Sequence, residues 1–172
     1  GALTEVASAI AGCGTKALIV TDAVMKKLGN LQLLTEALDT FGVQYSVYSE
    51  VNTEPTDEMV YEGVRRFAAD GCNFLIALGG GSPMDTMKAI ALMNGYEGRI
   101  SDFMGKKFTR PTCPMVAIPT TAGTGSEATQ FTIITDIAAQ VKMLISSESL
   151  IPDIAVIDPI FTKSAPHGVT AS

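Results

Sequence analysis

Phe74-Leu75-Ile76-Ala77-Leu78 runs straight into Gly79-Gly80-Gly81, and Ser82-Pro83-Met84-Asp85-Thr86-Met87-Lys88 follows without a gap. Five successive apolar side chains leave no solvent face, so the first stretch reads as a strand buried on both sides. Beyond the glycines the period changes. Met84, Met87, Ala91 and Leu92 fall on helical spacing and stop at the turn over 95–98. A covered strand, a glycine bend and a helix in direct succession imply a parallel sheet with helices packed on its faces.

The same alternation extends both ways from this point. Ala17-Leu18-Ile19-Val20 is a short apolar run ending at Thr21-Asp22. Leu31, Leu34, Leu38 and Phe41 follow at helical spacing, with Gly42 as the stop. Val43, Tyr45 and Val47 alternate through a second strand. Thr56 caps a helix whose apolar face is Met59, Val60, Val64 and Phe67 and which ends at Gly71. Met115-Val116-Ala117-Ile118 is a fourth strand and Ile154-Ala155-Val156-Ile157 a later one. One segment breaks the rhythm: Phe131 to Thr135 and Val141 to Ile145 flank Asp136-Ile137-Ala138-Ala139, which predicts a hairpin beside the main sheet. With right-handed crossovers the whole is an α/β fold, a doubly wound, mostly parallel, Rossmann-like sheet with a β-hairpin. No repeat, low-complexity tract or linker divides it, so residues 1–172 read as one domain.

Composition narrows the partners. Of 172 residues 47% are hydrophobic and 17% charged, enough apolar mass for a core and too little charge for disorder. Twelve Lys and Arg stand against 18 Asp and Glu, with no basic cluster, so no nucleic acid is expected as a partner. No apolar run approaches the ~20 residues of a membrane span, and the start carries no secretory pattern. Cys13, Cys72 and Cys113 are odd in number and lack metal-ligand spacing, which suits a reducing, cytoplasmic setting.

The glycine bend carries the strongest chemical signal. Glycines let a backbone approach a ligand without Cβ obstruction, and the helix behind them offers unpaired N–H groups and a positive dipole end. A pyrophosphate is the natural occupant at the carboxyl ends of the strands. The spacing is not Gly-x-Gly-x-x-Gly, so that fingerprint is not claimed. Ser82, Pro83 and Asp85 also have the spacing of a capping box with Pro at the first helical position, a role that needs no ligand. After the fourth strand comes Pro119-Thr120-Thr121-Ala122-Gly123-Thr124-Gly125-Ser126-Glu127-Ala128-Thr129, whose hydroxyls suit a ribose, a phosphate or the chain itself.

Together the two segments, Gly-Gly-Gly-Ser-x-x-Asp-x-x-Lys at 79–88 and Pro-Thr-Thr-Ala-Gly-Thr-Gly-Ser-Glu at 119–127, resemble the iron-dependent (group III) alcohol dehydrogenases. Ile19-Val20-Thr21-Asp22, Glu54-Pro55-Thr56, Lys142 and Ile157-Asp158-Pro159 match in the same collinear order. The resemblance implies NAD(P)-dependent interconversion of a small alcohol and an aldehyde or ketone. This chain would be the N-terminal cofactor-binding domain, and a second, all-helical domain, absent from it, would hold the metal. Carried over by position, Gly80, Gly81 and Ser82 would meet the pyrophosphate, and Asp85 would lie on the nicotinamide side. Thr120, Thr121 and Thr124 would line the adenine and ribose side, with Thr129, Phe131 and Lys142 completing the pocket. Asp22 at the end of the first strand would accept both ribose hydroxyls and repel a 2′-phosphate, favouring NAD over NADP. It is equally placed to cap a helix beginning near Ala23. Glu54 stands where relatives often carry Asn.

In the family the metal, Fe²⁺ here, has one Asp and three His ligands. This sequence has one histidine, His167, at no ligand position, so the ligands are expected beyond Ser172. The start at Gly1-Ala2-Leu3, with no strand before it, and the bare end at Val169-Thr170-Ala171-Ser172 make the chain read as a piece of a longer protein. By itself it is expected to bind NAD weakly and to turn over nothing. Full length, the resemblance implies a homo-oligomer. A zinc-dependent polyol dehydrogenase and a non-catalytic nucleotide-binding module stand as the alternatives.

Overall fold

The computed structural model describes residues 2–163; His167 lies outside them. In chain order the elements are helix α1 (Ala2–Ala11), strand β1 (Lys16–Val20), helices α2 (Ala23–Lys27) and α3 (Asn30–Thr40), β2 (Gln44–Tyr48), α4 (Asp57–Ala69), β3 (Phe74–Gly79) and α5 (Gly81–Met93). There follow a 3₁₀ turn (Ile100–Phe103), β4 (Met115–Pro119), the hairpin β5 (Phe131–Asp136) and β6 (Val141–Ser146), a second 3₁₀ turn (Glu148–Leu150), β7 (Ile154–Ala155) and α6 (Pro159–Thr162). Five parallel strands form one sheet in the order β2-β1-β3-β4-β7, and β5-β6 is a separate antiparallel pair.

The strands sort their side chains to two cores, as the pleat requires. Leu18, Val20, Leu75, Ala77, Met115 and Ala117 face Val60 and Phe67 of α4 and Met84, Met87 and Ile90 of α5. Ala17, Ile19, Phe74, Ile76, Val116 and Ile118 face Ile10 of α1, Met25 of α2, Leu34 and Leu38 of α3 and Phe161 of α6. The sheet is therefore covered on both faces, which is why its strands read as unbroken apolar runs.

Three details differ from the sequence reading. The hairpin expected beside the main sheet is a separate pair that packs on α5. Its inward residues Ile134, Met143 and Ile145 join the core around α5, so that helix is sandwiched between sheet and hairpin. This explains why residues 86–93 of α5 are all buried although the helix has no clear polar face. Phe41 ends α3 as its C-cap and is exposed, so the buried leucines of its face are Leu31, Leu34 and Leu38, joined by Asn30. The strand expected over 154–157 is only two residues long. The chain leaves the sheet there because Asp158 caps α6, its carboxylate accepting from the N–H groups of Ile160 and Leu3.

The order of strands fixes where a ligand would enter. From β1 the chain moves to β2 through α2 and α3 on one face. From β3 it moves the opposite way, to β4, beginning with α5 on the other face. Between the carboxyl ends of β1 and β3 the two paths diverge and leave a crevice, the usual ligand site of an open α/β sheet.

Candidate functional site

A cleft of about 530 Å³ opens at that crevice. Parallel register brings its walls to one rim. Val20 pairs with Ala77 and Gly79 with Pro119, so Asp22, Gly79, Gly80 and Thr120 emerge side by side. Two bonds hold the rim: the Thr21 hydroxyl donates to the Leu78 carbonyl at 2.7 Å, and the Thr120 N–H to the Gly79 carbonyl at 3.0 Å.

The three glycines differ in what they require. Gly79 has φ of 149°, a region essentially closed to other residues, and a Cβ there would stand 2.7 Å from the Pro83 ring. Gly80 has ordinary extended angles (φ −84°, ψ −156°) and serves as N-cap of α5 without any side-chain bond. A Cβ on Gly81 would meet only Thr124 and Ser126, at 3.7 Å or more. The fold therefore demands the first glycine; a Cβ on Gly80 would stand 3.3 Å from the Thr121 hydroxyl, while Gly81 is open, and the lack of side chains leaves both amides approachable from the cleft. The Gly80, Gly81 and Ser82 N–H groups have no intrahelical acceptor, and Pro83 has none to leave unpaired. The capping-box role of Ser82 and Asp85 does not hold, because the helix begins at Gly81 and puts Ser82 inside its first turn.

Asp22 performs the capping role and still faces the cleft. Its Oδ1 accepts from the Met25 N–H at 2.9 Å, while its Oδ2 lies 3.3 Å from where a Cβ on Gly79 would stand. Opposite it, the hydroxyl oxygens of Thr120 and Thr121 are buried with no partner among the described residues. A buried hydroxyl left unpaired costs about 1–3 kcal/mol, so two at one rim mark a place shaped for something else to bond them.

Asp22, Gly80, Gly81, Ser82, Thr120 and Thr121 line the cleft. Thr124 lies over Gly81, just outside. The remaining candidates gather where the hairpin meets α5 and the loop before α4. Asp85 accepts from the Ile133 N–H at 3.3 Å, and burial lifts its carboxyl to about 6 against the lowering effects of that bond and of Lys88. Thr129 and the Phe131 carbonyl accept from Lys88, while the Phe131 ring is exposed. Lys142 pairs with Glu54 on the surface. Sequence reasoning passed over the cleft's far wall: Val24 and Met25 of α2 with its C-cap Leu28, and Val51-Asn52-Thr53 after β2. Asn52 braces that wall, its Oδ1 accepting from the Ala23 N–H at 2.8 Å. A five-residue helix is too short to show a period, but the position of 51–53 at a strand's carboxyl end was available as a clue.

The arrangement suits an anion on bare amides, extended on one side by groups that bond hydroxyls. A helix N-terminus contributes ~0.3–1 kcal/mol to such an anion at an exposed site and more in a dry one.

The chain belongs to the iron-containing alcohol dehydrogenase family, whose sequence pattern matches residues 1–159. It is 40% identical to the NAD-dependent methanol dehydrogenase of Bacillus methanolicus over 172 residues, covering 99% of this chain and 45% of that protein. Its fold superposes on the crystal structure of a 1,3-propanediol oxidoreductase with a TM-score of 0.93 at 32% identity, over 98% of this chain and 45% of that one. The sulfoacetaldehyde reductase of Bifidobacterium kashiwanohense, solved in complex with NAD+, matches with a TM-score of 0.86 at 31% identity, over 98% of this chain and 45% of that one. The chain thus spans somewhat under half the length of these relatives.

Proposed function

We propose that this chain is the dinucleotide-binding domain of an NAD(H)-dependent, iron-requiring dehydrogenase that interconverts a small alcohol and its aldehyde. The observation that carries the reading is that Thr120 and Thr121, whose buried hydroxyls have no partner among the described residues, line one cleft with Gly80, Gly81 and Ser82. Relatives named for NAD and for small alcohols and aldehydes support it.

The diphosphate rests on the Gly80, Gly81 and Ser82 amides, where the α5 dipole favours negative charge. Thr120 and Thr121 donate to the phosphate and ribose oxygens. Asp22, with Oδ2 turned to the cleft, accepts from the ribose hydroxyls and repels a 2′-phosphate, which selects NAD over NADP. The apolar Val24, Met25 and Leu28 give the base a dry surface. Bound there, the nicotinamide supplies the hydride acceptor or donor. Among the described residues no group of three His, Cys, Asp or Glu side chains could hold a metal ion. The iron ligands then belong to the rest of the full-length protein.

Calorimetric titration of the full-length protein with NAD+, NADH and NADPH, followed by assay on short-chain alcohols and aldehydes with Fe²⁺, tests the reading. Binding of NADH in preference to NADPH with alcohol-dependent NADH formation is expected. Absence of nicotinamide turnover across the panel overturns it.

A further inference from the structure

Two side chains complete the first turn of α2, and both line the cleft. Asp22 accepts from the Met25 N–H through Oδ1 at 2.9 Å, and Asn52 accepts from the Ala23 N–H through Oδ1 at 2.8 Å. Asp22 stands just before the helix. Asn52 reaches it from beyond the carboxyl end of β2, 29 residues away. Only an oxygen can accept from the Ala23 N–H, so the Asn52 carboxamide has one orientation, with Oδ1 on the helix and Nδ2 turned from it. Neither that Nδ2 nor the Asp22 Oδ2 has a partner among the described residues.

Asn52 is exposed, yet it is firmly held. Val51 beside it is buried, and its N–H donates to the Thr21 carbonyl at 3.3 Å, which ties the turn to the end of β1. The Asn52 N–H donates to the Glu50 carbonyl at 3.0 Å. Backbone and side chain together fix the residue. Its bond to Ala23 could be made as well by the carboxylate of an aspartate. What asparagine adds is a pair of amide hydrogens on the same helix turn as a free carboxylate oxygen.

That combination sorts ligands by chemistry. A carboxylate oxygen only accepts, and an amide nitrogen only donates. A hydroxyl does both, so it can give its hydrogen to Asp22 and take one from Asn52. A phosphate can use the donor but is repelled by the carboxylate, and a methylene can use neither. Among the groups a dinucleotide carries, a ribose hydroxyl suits the pair.

We propose that Asn52 is a specificity-determining residue whose Nδ2 donates to the 2′ oxygen of the ribose held by Asp22, so that one hydroxyl is met by an acceptor and a donor together. The inference rests on the reading that the cleft takes NAD(H) with its adenosine ribose at Asp22. Glu54, two residues on, takes no part, because it is paired with Lys142 of the hairpin.

The experiment is calorimetric titration of the full-length protein with NADH and with its analogue lacking the adenosine 2′-hydroxyl. Wild type, Asn52→Asp and Asn52→Ala are compared, with melting curves alongside. Asn52→Asp keeps an oxygen for the Ala23 N–H and loses the donor. It should melt near wild type and bind NADH about five- to tenfold more weakly. Asn52→Ala removes the donor without adding charge and closes a cycle with the analogue. In wild type the missing hydroxyl should cost about tenfold in affinity. In Asn52→Ala that penalty should shrink by about threefold or more, because one of the hydroxyl's two partners is already gone.

An equal penalty in the two proteins overturns the proposal, since a residue that only braces α2 leaves the hydroxyl's contribution intact. So does an Asn52→Asp protein that binds NADH like wild type, for the cap alone would then explain the asparagine. A third arm uses the dinucleotide with hypoxanthine in place of adenine. Coupling of Asn52 to that change, and not to the 2′-hydroxyl, overturns the proposal by putting the amide on the base. Wild-type protein that binds no NADH at all overturns the underlying reading, an outcome distinct from the others because no variant or analogue is needed to see it.

Discussion

Asp22 and Gly79 meet across the mouth of the cleft: the Asp22 Oδ2 stands 3.3 Å from the point a Cβ on Gly79 would occupy. The carboxylate reaches that position because its other oxygen is pinned to the first turn of α2, Oδ1 accepting from the Met25 N–H. One carboxylate therefore caps α2 with Oδ1 and keeps its second oxygen at the cleft it helps to line.

The charge and the cap separate by substitution. Asparagine caps as well as aspartate, so Asp22→Asn should leave the melting temperature near wild type, whereas Asp22→Ala should cost ~1 kcal/mol of stability. Both remove the charge that opposes a 2′-phosphate. The ratio of Kd for NADPH to Kd for NADH should fall about tenfold in each. Retained discrimination in Asp22→Asn would show that selection lies elsewhere in the cleft.

Alanine at each of two glycines should have opposite consequences. Gly79→Ala forces a Cβ into a φ of 149° and within 2.7 Å of Pro83, so a loss of about 2–4 kcal/mol in denaturant melts is expected. At Gly81 the added Cβ finds only contacts of 3.7 Å or longer inside a helix, so stability should hold or rise by up to ~1 kcal/mol. If the diphosphate lies on the Gly80–Ser82 amides as proposed, the methyl blocks its approach and NADH affinity should drop about tenfold.

Much of this was legible in the sequence because the physics is local. Buried parallel strands announce themselves as apolar runs, and Thr56 caps α4 where its hydroxyl accepts from the Met59 N–H. Glycine stops also hold: Gly42 and Gly71 both have positive φ past a helix end. What stayed hidden depends on partners distant in sequence. Nothing near Ser82 shows that the helix starts two residues earlier, since that start is set by the Gly79 bend and by Thr120 bonding its carbonyl. The coupling of Lys88 to Thr129, 41 residues away, is likewise invisible to spacing. Asp85 and Lys88 stood in the quoted motif, but only the hairpin lying over α5 reveals that Asp85 accepts from the Ile133 N–H and that Lys88 donates to the Phe131 carbonyl.

Thr120 and Thr121 provide the sharpest separation of stability from binding. Their hydroxyls have no partner among the described residues, so replacing either by valine removes a desolvated polar group at nearly constant shape. Thr120→Val and Thr121→Val should leave stability unchanged or raise it by ~1 kcal/mol, the reverse of what loss of an ordinary buried hydrogen bond does. Each should also weaken NADH by about five- to tenfold if the hydroxyl is reserved for the ligand. Valine variants that are destabilised and bind normally would return both threonines to a structural role.

Asp85 gives stability a dependence on acid that runs against the usual direction for a carboxylate. Unfolded, it titrates at its ordinary 3.8; folded, burial lifts it to about 6, with the Ile133 N–H bond and Lys88 only partly offsetting this. Between those values the folded chain holds a proton that the unfolded chain has released. This group's contribution is therefore fully present below the lower value and is lost as pH rises through about 6. Asp85→Asn keeps an oxygen to accept from the Ile133 N–H and cannot titrate. Wild type measured against Asp85→Asn in denaturant melts should gain stability on acidification through this window. Parallel curves for the two proteins would mean that the carboxylate is solvated when the protein folds, and that the hairpin does not close over α5 as tightly as the Ile133 contact requires.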